Sequence, residues 1–277
     1  MDIMFTAISN DVHRHRRAPL SHFFSRRAVL ELEDIIQDKA RKLCGRVREG
    51  LDTDKPVDLR AGARAVSVDV ITEYAFDNCW NHLDDDDFGN WFSEALRETG
   101  IMWWFFQQFP SLAKLMQAMP EDFARKTNPI MNGWLDCVAV SGYAVEFSMK
   151  PGSNLTSEQR TRDFVNEVRK LFEAGVEPKR RTIFHELMDP KVSDKDAAEP
   201  LTNERLYGEA LTFCTAAADT TGNAIEAAAY HVITNPHIYE TLTKELREAF
   251  PDLNADLDLT TLETLPYLTG VAKEGQR

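Results

Sequence analysis

An acid and an alcohol stand side by side at Asp219 and Thr220, directly after three alanines, Ala216, Ala217 and Ala218. An acid beside an alcohol in mid-helix is a pairing that could do chemistry. The three alanines give a face with almost no side chain. These residues lie within 202–236, TNERLYGEALTFCTAAADTTGNAIEAAAYHVITNP, which reads as one long helix. Pro200 precedes it, and Thr202 and Asn203 are candidate caps. Asn235-Pro236 ends it, because the residue before a proline is pushed out of the α region. Such a helix runs about 50 Å, enough to cross a domain. Asp219, Thr220, Thr221 and Gly222 are poor helix formers in succession. A long apolar helix that weakens at its centre is a local conflict of the kind found at functional sites. It predicts a bend or loosening there, with Ala216, Ala217 and Thr220 facing an open cavity rather than packed side chains. The competing reading is a solvated stripe of Thr212, Thr215, Asp219, Asn223 and Glu226 at helical spacing.

Other clusters are weighed against this one. His13, Arg14, His15, Arg16 and Arg17 form a basic group in an acidic chain. A small carboxylate or phosphate would satisfy it, and the alternative is a solvated helix start. His13, His15 and His22 make a poor metal site, since alternate residues diverge on a helix and no carboxylate or cysteine completes the set. The acidic run Asp84 to Asp87 suggests the D-D-x-x-D magnesium motif of terpene cyclases, but Phe88 stands where the last aspartate belongs. An acidic loop capping a helix from Phe88 to Glu98 is the other reading. No metal site is assigned.

The elements around these residues are helical. Residues 26–51 carry Val29, Leu30, Leu32, Ile35, Ile36, Ala40, Leu43 and Val47 at helical spacing, with Gly50 as the stop. Residues 58–77 form a helix capped by Asp58, with Asp69 and Glu73 on a solvent-facing edge. Residues 99–120 are aromatic and apolar, either core, pocket lining or membrane contact. Residues 121–141 look helical, 142–160 lose the pattern and predict a surface loop, and periodicity resumes at Arg162. A short helix over 182–189, a charged loop, and helices over 236–250 and in 262–277 complete the chain. In the last of these Glu274 and Arg277 are three apart and can pair.

Composition narrows the function. The 277 residues carry a formal charge of −13, without a basic stripe, which argues against nucleic acid. No apolar run reaches the length of a membrane span, and Met1 begins no signal peptide. Cys44, Cys79, Cys137 and Cys214 are widely spaced, as in a reduced intracellular protein.

In this order, the pieces resemble the cytochrome P450 monooxygenases, most closely the fungal microsomal type. Ala216-Ala217-Ala218-Asp219-Thr220-Thr221 resembles the family's I-helix signature, with Ala217 in place of the usual glycine. Glu274-Gly275-Gln276-Arg277, reached through LPYL, resembles the K-helix E-x-x-R. His13 and Arg17 stand at the spacing of the C-helix W-x-x-x-R that holds haem propionates. The resemblance implies a mainly α fold: the central helical part of the P450 fold, a single incomplete domain over 1–277. The N-terminal sheet and the C-terminal haem-cysteine loop are expected to be absent. It implies haem, a lipophilic substrate such as a terpenoid or polyketide, dioxygen, and an NADPH-dependent reductase on the cytosolic face of the endoplasmic reticulum. Asp219 and Thr220 would be catalytic, His13, Arg17, Ala216 and Ala217 would contact the cofactor, and Glu274 and Arg277 would form a structural pair. Without the cysteine loop the chain is expected to be inactive alone. Two other readings stay open: a non-catalytic helical domain binding a ligand or partner, and a magnesium-dependent terpene cyclase.

Overall fold

The computed structural model describes residues 4, 7, 9–90, 92–94, 97, 104, 108–109, 111, 157–176, 180–188, 201–252 and 255–276. Among these, regular structure is helical, with no strand. The expected helix over 121–141 lies outside the described residues, as do most of the aromatic stretch and Arg277. Within that stretch Trp104 and Phe109 are described, and both are exposed.

The chain divides into two compact units, Met1–Leu20 with Asn90–Phe213, and Ser21–Gly89 with Cys214–Arg277. In the first, α1 (Asn10–Arg17) runs into a 3-10 turn, Ala18–Leu20. With it are α5 (Ser157–Glu173), α6 (Ile183–Met188) and the start of α7 (Asn203–Thr234). Leu20, Val165, Ile183, Phe184 and Leu206 are almost wholly buried and form its core. The α6 start is fixed locally: the Thr182 N–H donates to His185 Nδ1 at 3.2 Å. Arg162 lies over the Tyr207 ring at 4.3 Å and pairs with Glu204. The 142–160 loop prediction is corrected at its end, since α5 already begins at Ser157.

The second unit holds α2 (Arg26–Leu30), α3 (Glu33–Asp52), α4 (Leu59–Phe76), a 3-10 turn at His82–Asp84 and the rest of α7. It ends with α8 (Pro236–Ala249), α9 (Leu259–Leu262) and α10 (Pro266–Glu274). The single helix expected over 26–51 is thus two. Ser25 caps the first, and Leu32 turns into the core at the break. Gly50 does not stop α3. It sits inside the last turn, where a Cβ would come within 2.3 Å of Val57 Cγ2, so glycine lets the chain fold back closely. Asp58 caps α4 as expected, accepting from the Arg60 and Ala61 N–H groups. Pro266 opens α10, and Glu245 of α8 accepts from the next two N–H groups, Tyr267 at 2.9 Å and Leu268 at 2.8 Å.

Asp69 and Glu73 are not a solvent edge. Asp69 is fully buried and accepts from the His82 N–H at 2.8 Å and the Leu83 N–H at 3.0 Å. It caps the 3-10 turn from a neighbouring helix. Glu73 meets the buried Lys39 amine at 2.6 Å. Periodicity cannot show this, because a buried acid paired with donors from later sequence has the same spacing as an exposed one.

Burial pushes the Asp69 carboxyl above its ordinary range, more than the two N–H bonds pull it down. A raised carboxyl in the fold means the ionised form is disfavoured on folding. Its contribution is therefore most favourable at acid pH and declines as pH rises from the ordinary value of about 4 through the folded one. Asp69→Ala orphans two buried donors and is predicted to cost about 2–4 kcal/mol. Asp69→Asn retains one accepting oxygen, so it is predicted to cost less and to flatten stability against pH in that window. Urea unfolding of the two variants across acid pH checks both statements.

Candidate functional site

The centre of α7 is built by α4. Gly222 is buried, and a Cβ there would lie 2.6 Å from Arg64 Cγ and 3.2 Å from Arg64 Cα. Only a residue without a side chain lets the α4 backbone come this near. Ala218, one turn earlier on the same face, is also fully buried. On α4, Ser67 Oγ donates to the Ala217 carbonyl at 2.9 Å.

Arg64 is the residue that sequence reasoning missed. Its side chain is 12% exposed, and it reaches three members of the supposed solvated stripe. Nε donates to Asp219 Oδ1 at 3.3 Å, Nη1 to Glu226 Oε2 at 3.0 Å, and Nη2 to Asn223 Oδ1. Asp219, Asn223 and Glu226 fall within two turns along one stripe, the spacing a planar fork can span. The signal was present. An arginine stands in the small apolar run Ala61 to Val68, and α7 carries two acids with no cation of its own nearby.

The other side of α7 is open. Ala216 and Thr220 are exposed and Ala217 is half-buried. Ala216 and Thr220 are thus not packed over by neighbouring side chains, and the expected loosening of the helix is absent. The helix runs from Asn203 to Thr234 without a break. Thr220 Oγ1 donates to the Ala216 carbonyl at 2.8 Å, so the hydroxyl is satisfied along the helix. Contacts from α4 outweigh the poor propensities, which sum to only about 2–3 kcal/mol.

The other candidates are placed as follows. His13, half-buried, and Arg17, exposed, sit one turn apart on α1, in the first unit. Asp219 and Thr220 belong to the second. Glu274 is the last residue of α10 and is exposed. The following Gly275 lies against α7, where a Cβ would be 2.9 Å from Ala228 Cβ. In the acidic run, Asp84 pairs with Lys42 at 2.7 Å. Arg46 bonds the Leu83 and Asp85 carbonyls and covers the Phe88 ring at 4.7 Å. Phe88 itself has a positive φ of 55°, so no helix starts there, and described helical residues begin at Asn90.

Two of the described cysteines, Cys79 and Cys214, are poor thiolates. Cys214 is buried within α7, and burial pushes its thiol far up. Burial and the Asp69 charge push Cys79 up to about 11. Cys44 is exposed on α3, and Cys137 lies outside the described residues.

A model of the cytochrome P450 family matches residues 2–277, and the chain belongs to that family. The cytochrome P450 monooxygenase MO6277 of Ascocoryne sarcoides is 34% identical over 270 residues, 98% of this chain and 50% of its own length. The monooxygenase tpcC of Cochliobolus heterostrophus is 31% identical, over 98% of this chain and 47% of its own. In fold the chain is similar to the crystal structure of a cytochrome P450, CYP102L1, with a TM-score of 0.68 at 17% identity, covering 98% of this chain and 54% of that one. The chain thus spans about half the length of the curated relatives it matches. No described helix is long and apolar enough to cross a membrane.

Gly222→Ala sets helix propensity against packing. Alanine gains about 1 kcal/mol in a helix, while overpacking against the Arg64 backbone costs about 1–3 kcal/mol. The variant is predicted to be less stable, read as a fall in thermal midpoint; a rise would show that α4 and α7 do not meet as closely as described.

Proposed function

We propose that the chain is the central part of a haem-thiolate monooxygenase that hydroxylates or epoxidises a lipophilic small molecule. The observation that carries this is the Asp219–Thr220 pair on a helix whose adjoining face, at Ala216 and Thr220, is open while α4 braces its back. Relatives support oxidation but differ in substrate. One is named tryptophan 6-hydroxylase, from Fusarium equiseti, and another conidiogenone synthase, from Penicillium rubens, each 27% identical. Identity at this level follows reaction type, and the terpenoid or polyketide class rests on the fungal resemblance. Electrons come from an NADPH-dependent reductase.

By the family resemblance, Ala216 and Ala217 would lie against haem, and His13 and Arg17 would take its propionates. None of the described cysteines fits as a thiolate donor to haem iron: one is sealed in a helix, one is held protonated, and one faces outward on α3. Haem, when bound, would supply the activation of dioxygen. The chain's own part is to carry protons. The Asp219 carboxylate, at the flank of the open face, would accept and pass on a proton, and Thr220 Oγ1, which donates to the Ala216 carbonyl, keeps its lone pairs free to accept from that side.

A chimaera tests this reading. Placing this chain in MO6277 in place of its matched 270 residues should give NADPH-dependent substrate oxidation. Thr220→Ala and Asp219→Asn should each lower it by about 10²-fold or more. A chimaera that binds haem and oxidises substrate but ignores both substitutions contradicts it. For the chain alone, no haem-thiolate site is expected. After reduction with haem and carbon monoxide, no thiolate-type Soret band should form. A band abolished by serine at Cys44, Cys79, Cys137 or Cys214 would overturn that expectation.

A further inference from the structure

We propose that Arg64 is the positioning residue of Asp219, a clamp that sets the carboxylate on the flank of the open face and can release it without itself moving. The inference rests on the reading that Asp219 works at that face. Its geometry comes from α4 and α7 alone.

Arg64 has more anchors than it needs for Asp219. Nη1 also donates to the Arg60 carbonyl at 3.3 Å, one turn back on its own helix. Glu226, Asn223 and the Arg60 carbonyl therefore hold both terminal nitrogens. Only Nε is given to Asp219, and at 3.3 Å that contact is longer than the 3.0 Å bond to Glu226. The Arg64 side chain is 12% exposed, whereas that of Asp219 is 50% exposed. The arginine is enclosed and the aspartate has room to turn.

The sequence enforces this arrangement. Gly222 brings the two helices together, so the guanidinium arrives folded along α7 rather than extended past it. Ser67, one turn on from Arg64, bonds the Ala217 carbonyl and fixes the rotation of α7 that presents Thr220 outward. A lysine at position 64 offers one ammonium point and cannot serve three acceptors spread over two turns. A residue needed only for charge or bulk would accept that replacement.

The test uses the 277-residue chain itself, with neither haem nor turnover. The first readout is the Arg64 Nε–H resonance by nitrogen NMR. In the unaltered chain it should be resolved and slow to exchange with water. In D219N it should shift and exchange faster, while backbone amides of α4 and α7 stay in place. The second readout is labelling of carboxyl groups by a water-soluble carbodiimide and an amine, read by mass spectrometry. Asp219 labelling should rise about two- to fivefold in both R64Q and R64K, the change expected for loss of a half-exposed pair. Buried Asp69 should stay unlabelled, reporting an intact fold. Should R64Q or R64K expose Asp69, the Nε–H resonance of D219N decides. Equal Asp219 labelling in the unaltered and R64K chains, or an Nε–H resonance indifferent to D219N, overturns the proposal. Failure here leaves the monooxygenase reading standing, and failure of the chimaera leaves this geometry standing.

Discussion

The contact on which the centre of α7 depends is the close approach of α4 at Gly222. Two helix backbones this close need a residue without a Cβ, and Ala218 extends the same small stripe by a turn. The gain is not mainly buried apolar area, which is slight for glycine and alanine. It is that polar groups on α4 come within bonding range of α7 at several points: Ser67 on a backbone carbonyl and Arg64 on three side chains. Such bonds are worth about 0.5–1.5 kcal/mol each in the net, more where charge is involved. Together they exceed what the run Asp219 to Gly222 loses in helix propensity. The same contact leaves the opposite side of the helix bare, and that side carries Thr220.

α4 can hold α7 only if it is itself fixed, and two buried polar arrangements do that. Lys39 of α3 bonds Glu73 of α4 at 2.6 Å and Asp38 at 3.0 Å. Burial works against its charge, but these two bonds outweigh it and hold the amine above its usual range. The contribution of such a cation is complete at neutral pH and fades only in strong alkali. Asp69 ties α4 to the turn that follows, through His82 and Leu83. Gly89, at φ 61°, lies against the His82 ring, where a Cβ would stand 2.6 Å from Cγ, so the turn packs as tightly as the helices. Farther along, Gln37 of α3 bonds both the N–H and the carbonyl of Leu257, and Arg26 forks onto Glu263. The later segment is thereby laid against α3.

Most helices were legible because their signals are local. Asp58 before α4, Pro236 and Pro266 at the first turns of α8 and α10, and Asn235 before its proline all stand where the structure uses them. The candidate site was half legible. The family signature pointed to Asp219 and Thr220, whose role is a proposal, and Thr220 is exposed on α7. What holds them was not legible, because Arg64 and Asp219 lie 155 residues apart and no spacing rule links them. The same reason explains Asp69. Its partners are backbone N–H groups on a turn whose course no periodicity reveals. The expected loosening of α7 failed for a related cause: propensity describes an isolated helix, and this one is braced. The break between α2 and α3 had no glycine or proline to mark it, only Leu32 turning inward.

The account claims that α4 makes the weak centre of α7 as firm as the rest of the unit. Native-state hydrogen exchange of the α7 amides measures this directly, since each amide reports the free energy of the opening that exposes it. The account predicts that the amides of 216 to 223 exchange only with unfolding of the whole unit, at the same free energy as the buried α4 amides around Val68. Exchange of 216 to 223 through a separate local opening, with a free energy clearly below that of α4, would contradict it.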